Sequence, residues 1–200
     1  MLKRTLIRAL KYFGYEIQRR PKSQNAPKEV IPAFEQIQYG CGRNYLTGWL
    51  NTDIISTGPE NYMYVDLTNR HPFPDNFFRF AFSEDFIEHI DQASSLLFLE
   101  EAHRTLRKGG VLRLTFPVLD VVLTKHFSSI DFKSFLRGKE EAFDSFGHIH
   151  FYSQDSLALV ANHIGFDMKI VECGKSEYSK LEGINTRTDG VNLHVELTKR

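Results

Sequence analysis

Ile37-Gln38-Tyr39-Gly40-Cys41-Gly42 is a short run that stops at a glycine turn, and Trp49-Leu50-Asn51-Thr52-Asp53-Ile54 is a second run of the same kind. Short apolar and aromatic runs bounded by turn residues predict two strands. A parallel sheet binds ligands at the carboxyl ends of its strands, where small residues let a ligand approach the backbone. Gly40, Cys41 and Gly42 stand at such an end, and a plain tight turn is the competing reading. The dinucleotide fingerprint needs a further glycine at position 45, where this chain has Tyr45, so a nicotinamide cofactor is disfavoured. Asp53 ends the second run, where a carboxylate can accept both hydroxyls of a ribose. It follows Gly42 by 11 positions, against roughly 20 where a full helix intervenes, so the connection is predicted to be a short turn. Met63-Tyr64-Val65 stops at Asp66 in the same way. Asp66 with Leu67 suits an adenine amino group and its ring, although either aspartate can instead cap a turn.

Outward from these runs, Phe78 to Phe82 predicts a fourth strand and Val111 to Phe116 a fifth, ended by Pro117. Between them Asp91 can cap a helix in which Leu96, Leu99, Ala102, His103 and Leu106 share a face. Arg104, Arg107 and Lys108 suit its C-terminal dipole, and Gly109-Gly110 ends it. Strand, helix, strand implies a parallel pair with a right-handed crossover. A second helix starts at Ser153, carries Leu157, Val160, Ala161 and Ile164 on one face, and stops at Gly165. Met168 to Cys173 predicts another strand. Val191, Leu193, Val195 and Leu197 alternate with polar residues in the last one, an antiparallel partner to the strand before it. The sum is an α/β domain over residues 31–200 with about seven strands, mostly parallel.

The chain has 200 residues, with 42% hydrophobic side chains and 17 Phe, enough for one cored domain. Lys plus Arg and Asp plus Glu number 25 each, which leaves no basic excess for nucleic acid. Cys41 and Cys173 are too few for a disulfide framework, and no apolar run approaches the roughly 18 residues of a bilayer span. A cytoplasmic location fits. Residues 1–20 hold Lys3, Arg4, Arg8, Lys11, Arg19 and Arg20 against Glu16, with Leu2, Leu6, Leu10, Phe13 and Ile17 at helical spacing. Residues 1–30 therefore read as a basic amphipathic helix and linker. The helix either docks peripherally on an anionic membrane face, the inner one for a cytoplasmic protein, or on a partner, or packs on its own domain.

Five segments in order resemble the class I S-adenosylmethionine-dependent methyltransferases, in particular the methyltransferase type 11 group, over about residues 35–118. They are Tyr39 to Gly42 with Gly48 to Ile54, Asp66-Leu67, Pro72 to Asn76, Phe82 to Ile90, and Leu106 to Leu112. The resemblance implies a Rossmann-like fold and S-adenosylmethionine as cofactor. Gly40, Cys41 and Gly42 would approach its methionine moiety, Asp53 its ribose, Asp66 and Leu67 its adenine, and Ser83 and Glu84 its sulfonium, with Ile54 also among the cofactor-binding residues. Two positions depart from the family pattern, with Gln38 and Arg79 standing where acids are usual.

Residues 118–152 read as an insertion or lid on the acceptor side, rich in Phe127, Phe132, Phe135, Phe143 and Phe146. His148 and His150 follow these phenylalanines as candidate general bases for an acceptor hydroxyl. No metal is expected, because two histidines two apart lack the third ligand that a tetrahedral site needs. His89 belongs to a Glu-His pair that resembles the family scaffold. The expected activity is methyl transfer to a small molecule or saccharide. Phe13 to Ile17 resembles leaders of bacterial methyltransferases associated with surface polysaccharides. The competing readings are a catalytically silent methyltransferase fold that binds a partner, favoured by Gln38 and Arg79, and another nucleotide-binding Rossmann-like enzyme, opposed by Tyr45.

Overall fold

The computed structural model describes residues 28–55, 57–125, 131–185, 187–188 and 190–200; the basic segment 1–20, its linker through Pro27, and Phe127 lie outside the described residues. The strands are β1 (Gln36–Tyr39), β2 (Leu50–Asp53), β3 (Tyr62–Tyr64), β4 (Phe78–Glu84), β5 (Leu106–Pro117), β6 (Phe166–Ile170) and β7 (Asn192–Lys199). The helices are α1 (Gln92–Thr105), α2 (Leu119–Lys125), α3 (Phe132–Lys139) and α4 (Gln154–Ile164), with a 3-10 turn at Ile87–His89 and a π turn at Glu140–Asp144. They build one sheet of order β3-β2-β1-β4-β5-β7-β6, in which β7 alone runs antiparallel to its neighbours. β1 lies between β2 and β4, so the order of winding reverses there, which opens a crevice at the carboxyl ends of β1 and β4.

The side chain of Asp91 accepts from the Ala93 and Ser94 N–H groups and starts α1 as expected. The helix ends at Thr105, short of the glycine pair. Leu106 already pairs with Phe78, so β4 draws the chain into the sheet before Arg107 and Lys108, and these two lie on β5 rather than in the helix. The ladder is irregular between Phe78 and Phe80, opposite Gly109 and Gly110. In α4, Ser153 and Ser156 cap each other reciprocally and Gly165 stops the helix. β6 starts at once at Phe166, two residues earlier than the sequence suggests, and the described residues between Ile170 and β7 form no further strand or helix.

Alternation sorts the strands into two covered faces. Ile37, Ala81, Leu112, Val195 and Leu197 pack with Phe98, Leu99 and Ala102 of α1 and Leu157 and Ala161 of α4. On the other face Phe80, Phe82 and Val111 are covered by Trp49 and Leu181, with Leu46, Tyr178 and Ile184 against them. Loops thus cover the second face. Under them Arg113, fully buried, pairs with Glu196 at 3.1 Å and donates to the carbonyls of Glu172 and Lys175 and to the Asn185 side chain. No helix among the described residues is long and apolar enough to cross a membrane.

Candidate active site

The crevice is lined by Gln38, Gly40, Gly42 and Asn44 from the β1 side, Phe82, Glu84 and Asp85 from β4, and Ile184 and Arg187 from between β6 and β7. Gly40 and Gly42 have φ of 63° and 54°, a region that side chains disfavour. The turn they make wraps around Asp53. Its two carboxylate oxygens accept the Gly42 N–H at 2.8 Å and the Ile54 N–H at 2.6 Å. Each oxygen keeps further lone-pair capacity for a hydroxyl. Ile54 is 64% exposed beside it, an apolar surface at the mouth of the turn. Burial, then the nearby Asp53 charge, pushes the Cys41 thiol up to about 12, so it contributes packing rather than a nucleophile.

Gln38 is buried, yet its Oε1 has no hydrogen-bond partner. Buried acceptors are seldom left alone, and this one lines the crevice, where an ammonium would satisfy it. An amide oxygen can take that role without a carboxylate. Arg79 is solvent-exposed over the Phe80 ring, 5.2 Å from its centroid, and is not among the residues lining the crevice. The residues present therefore fit a ligand that carries an ammonium and ribose hydroxyls.

Three expected cofactor residues sit elsewhere. Asp66 accepts from the Thr68 N–H and hydroxyl and from the Asn69 amide, so it caps a turn. Burial pulls its carboxyl up, but these hydrogen bonds outweigh it and hold the group below its usual value. Leu67 is buried in the core and offers no seat for a ring. Because β4 continues to Glu84, Ser83 and Glu84 point to opposite faces. Glu84 lines the crevice, while Ser83 follows the Tyr39 side of the sheet, with a buried hydroxyl that lacks a partner. Glu84 accepts from the Asn185 amide at 3.2 Å and the Arg187 N–H at 3.4 Å. Asn185 and Arg187 carry no sequence signal, since they come from the other end of the chain.

Asp85 and Arg187 form an ion pair and line both this crevice and an adjoining cavity of about 250 Å³. The cavity is walled by Glu88, His89, His148, Phe146, Lys125 and Glu141. Asp85 holds φ of 51°, a strained backbone for a non-glycine residue at the junction of the two spaces. Of the phenylalanines of the insertion, Phe146 lines the cavity, Phe143 packs with Val122 and Ala142, and Phe132 and Phe135 are exposed.

His148 lies 3.1 Å by its Nδ1 from the Ala142 carbonyl. A carbonyl can only accept, so Nδ1 carries the hydrogen and Nε2 is left as the basic nitrogen. Burial first, then the neighbouring His89, lowers its pKa against the pull of that hydrogen bond, so the ring is neutral near pH 7. His150 does not join it. The Ile149 and His150 N–H groups both bond to the Glu88 carbonyl, which turns the chain and sends the His150 ring against Tyr152, 4.5 Å between centroids. His150 is absent from the cavity wall, and both its ring nitrogens are buried without partners. Glu88 and His89, read from the sequence as scaffold, take its place.

Residues 37–114 match the family model described as a methyltransferase domain. No curated protein sequence matches the chain. A SAM-dependent methyltransferase of Thermotoga maritima is 22% identical, with 84% of this chain and 83% of that one covered and a TM-score of 0.57. An S-adenosylmethionine-dependent methyltransferase of Mesorhizobium loti is 14% identical over 87% and 94% of the two chains, with a TM-score of 0.58. One from Methanosarcina mazei is 16% identical over 87% and 94%, at 0.52. These structures share the fold, and the matched family segment holds the glycine turn, Asp53 and all of β4. Residues 37–114 are thus similar to a methyltransferase domain, within a fold that the chain shares with S-adenosylmethionine-dependent methyltransferases.

Proposed function

We propose that this chain is an S-adenosylmethionine-dependent methyltransferase acting on a hydroxyl of a small polar acceptor of the saccharide class, with His148 as the group that promotes loss of the hydroxyl proton. The observation that carries the reading is the cavity that adjoins the crevice at Asp85 and Arg187 and is lined by His148, whose Nδ1 bond to the Ala142 carbonyl leaves Nε2 as the basic nitrogen. Its volume is below the roughly 300–1,000 Å³ of pockets for drug-sized ligands, which suits one ring-sized group. Lys125, Glu141 and Asn192 offer donors and acceptors to hydroxyls, and Phe146 offers a flat apolar face.

In the crevice, Asp53 would hold the ribose hydroxyls and Gln38 Oε1 the α-ammonium, with the Gly40 to Gly42 backbone against the methionine moiety. When bound, S-adenosylmethionine supplies a methyl group already activated on a sulfonium. The chain's own task is then to hold the acceptor oxygen at attack distance and to relieve it of its proton.

Transfer of a radiolabelled methyl group to a panel of saccharides and other small hydroxylated compounds tests this. His148→Ala is expected to keep cofactor affinity and slow transfer by about 100-fold, whereas His150→Ala turns over near the wild-type rate. Normal turnover by His148→Ala removes His148 as the base. Turnover confined to amines or other non-saccharides removes the acceptor class.

A further inference from the structure

We infer that Glu88, His89 and His148 bind a first-row divalent cation of zinc-like character at the floor of the acceptor cavity. One ligand atom from each lies within 4.8 Å of the other two. In a tetrahedral site with bonds of about 2.1 Å, ligand atoms stand about 3.4 Å apart, so side-chain rotations of an ångström or so close the set.

Three further observations point to a cation. Glu88 is 2% exposed, and both its carboxylate oxygens lack a hydrogen-bond partner. An ionised carboxylate in that state is costly unless it is paired or binds a metal. The cationic side chains on the same wall are engaged with other carboxylates, Lys125 with Glu141 at 2.8 Å and Arg187 with Asp85. The Nδ1–H of His148 is held by the Ala142 carbonyl, the arrangement that orients a metal-binding imidazole and leaves Nε2 as the ligand. The backbone builds the set as well, since the Glu88 carbonyl accepts the Ile149 and His150 N–H groups at 2.9 and 3.2 Å and so anchors the segment that delivers His148.

Two imidazoles with one carboxylate suit a borderline ion such as zinc rather than calcium or magnesium, which prefer all-oxygen sets. The expectation of no metal rested on His148 and His150 as an isolated pair. The fold discards His150 and supplies two ligands from the turn after β4. With the ion bound, the three groups favour loss of the acceptor's proton by charge rather than by taking it, a consequence that rests on the acceptor reading above; cation binding itself does not.

The full-length protein, stripped with a chelator, is titrated with Co²⁺ under visible absorption spectroscopy and with Zn²⁺ by calorimetry. One equivalent of Co²⁺ with ligand-field bands is expected. Glu88→Gln, which is isosteric, and His148→Ala should each weaken binding by about 10-fold or more, and His150→Ala should leave it unchanged. Absence of the bands, or equal binding by wild type and a His89→Ala/His148→Ala double variant that retains its circular dichroism, overturns the site. Full-rate methyl transfer after chelation, with no cobalt bands, likewise overturns it and leaves His148 as the base. Stoichiometric Co²⁺ binding lost in the variants upholds the site even when no saccharide is methylated, an outcome that counts against the acceptor alone.

Discussion

Gly40 and Gly42 share a backbone conformation but not a neighbourhood, which makes the pair an internal control. A Cβ on Gly40 would stand 2.6 Å from Cδ2, 2.7 Å from Cγ and 2.8 Å from Cβ of Phe86, whereas nothing lies within 4 Å of one on Gly42. Phe86 cannot simply withdraw, because its ring packs edge-on against Phe98 at 5.1 Å. A side chain at positive φ costs about 1–2 kcal/mol, and overpacking adds about 1–3 kcal/mol. Gly40→Ala should therefore lower stability by about 2–5 kcal/mol, with Gly42→Ala limited to the first of these costs, about 1–2 kcal/mol. Urea unfolding followed by circular dichroism reads both. Adding Phe86→Ala to Gly40→Ala should make the double variant more stable than the sum of the singles requires, by about the overpacking cost of 1–3 kcal/mol. Equal losses for the two glycines, or strict additivity with Phe86, would refute the claim that this contact fixes the turn.

Asp53→Ala should weaken S-adenosylmethionine binding by about 1–3 kcal/mol in calorimetry, and unchanged affinity would exclude Asp53 from the site. Arg113→Met should cost about 3–5 kcal/mol, because it leaves Glu196 buried and unpaired. Arg113→Met/Glu196→Leu should regain much of that loss, and a double variant as unstable as the summed singles would contradict this. Burial lowers the His71 pKa from 6.5 to about 4 despite the nearby Glu101. The unfolded chain then takes up that proton first on acidification, so this stability is complete above pH 6.5 and drains away between pH 6.5 and about 4. Comparison of wild type with His71→Leu at pH 7 and 4.5 should show about 2–3 kcal/mol of extra acid loss in the wild type. Parallel pH profiles would count against it.

Features set by a few adjacent residues were legible. Asp91, Ser153 and Gly165 bound their helices as read, since a cap is a local hydrogen bond, and the Gly40 turn with Asp53 follows from strand ends alone. Asp66 shows the limit of that logic, because a carboxylate at a strand end serves its own turn as readily as a ligand. In β7 the alternation of Val195 and Leu197 with His194 and Glu196 looks the same whether the polar face meets water or a buried network, and here it meets Arg113 and Thr115. Asn185 and Glu84 lie 101 positions apart, as no local pattern reports. His148 and His150 were paired by spacing, but backbone bonds to Glu88 separate them.

The described residues between β6 and β7 close the second face of the sheet through Tyr178 and Leu181, and Ile184 and Arg187 among them also wall the crevice proposed for the cofactor. One segment therefore serves both the hydrophobic core and the ligand. Its local unfolding must uncover Trp49, Phe80 and Phe82 at the moment that it breaches the crevice. Occupancy by the cofactor should accordingly slow amide hydrogen exchange in Trp49 and the β4 strand as well as in this segment, because a ligand opposes every opening that would release it. A substitution that loosens the whole segment should then weaken cofactor retention and shorten the lifetime of the folded protein together.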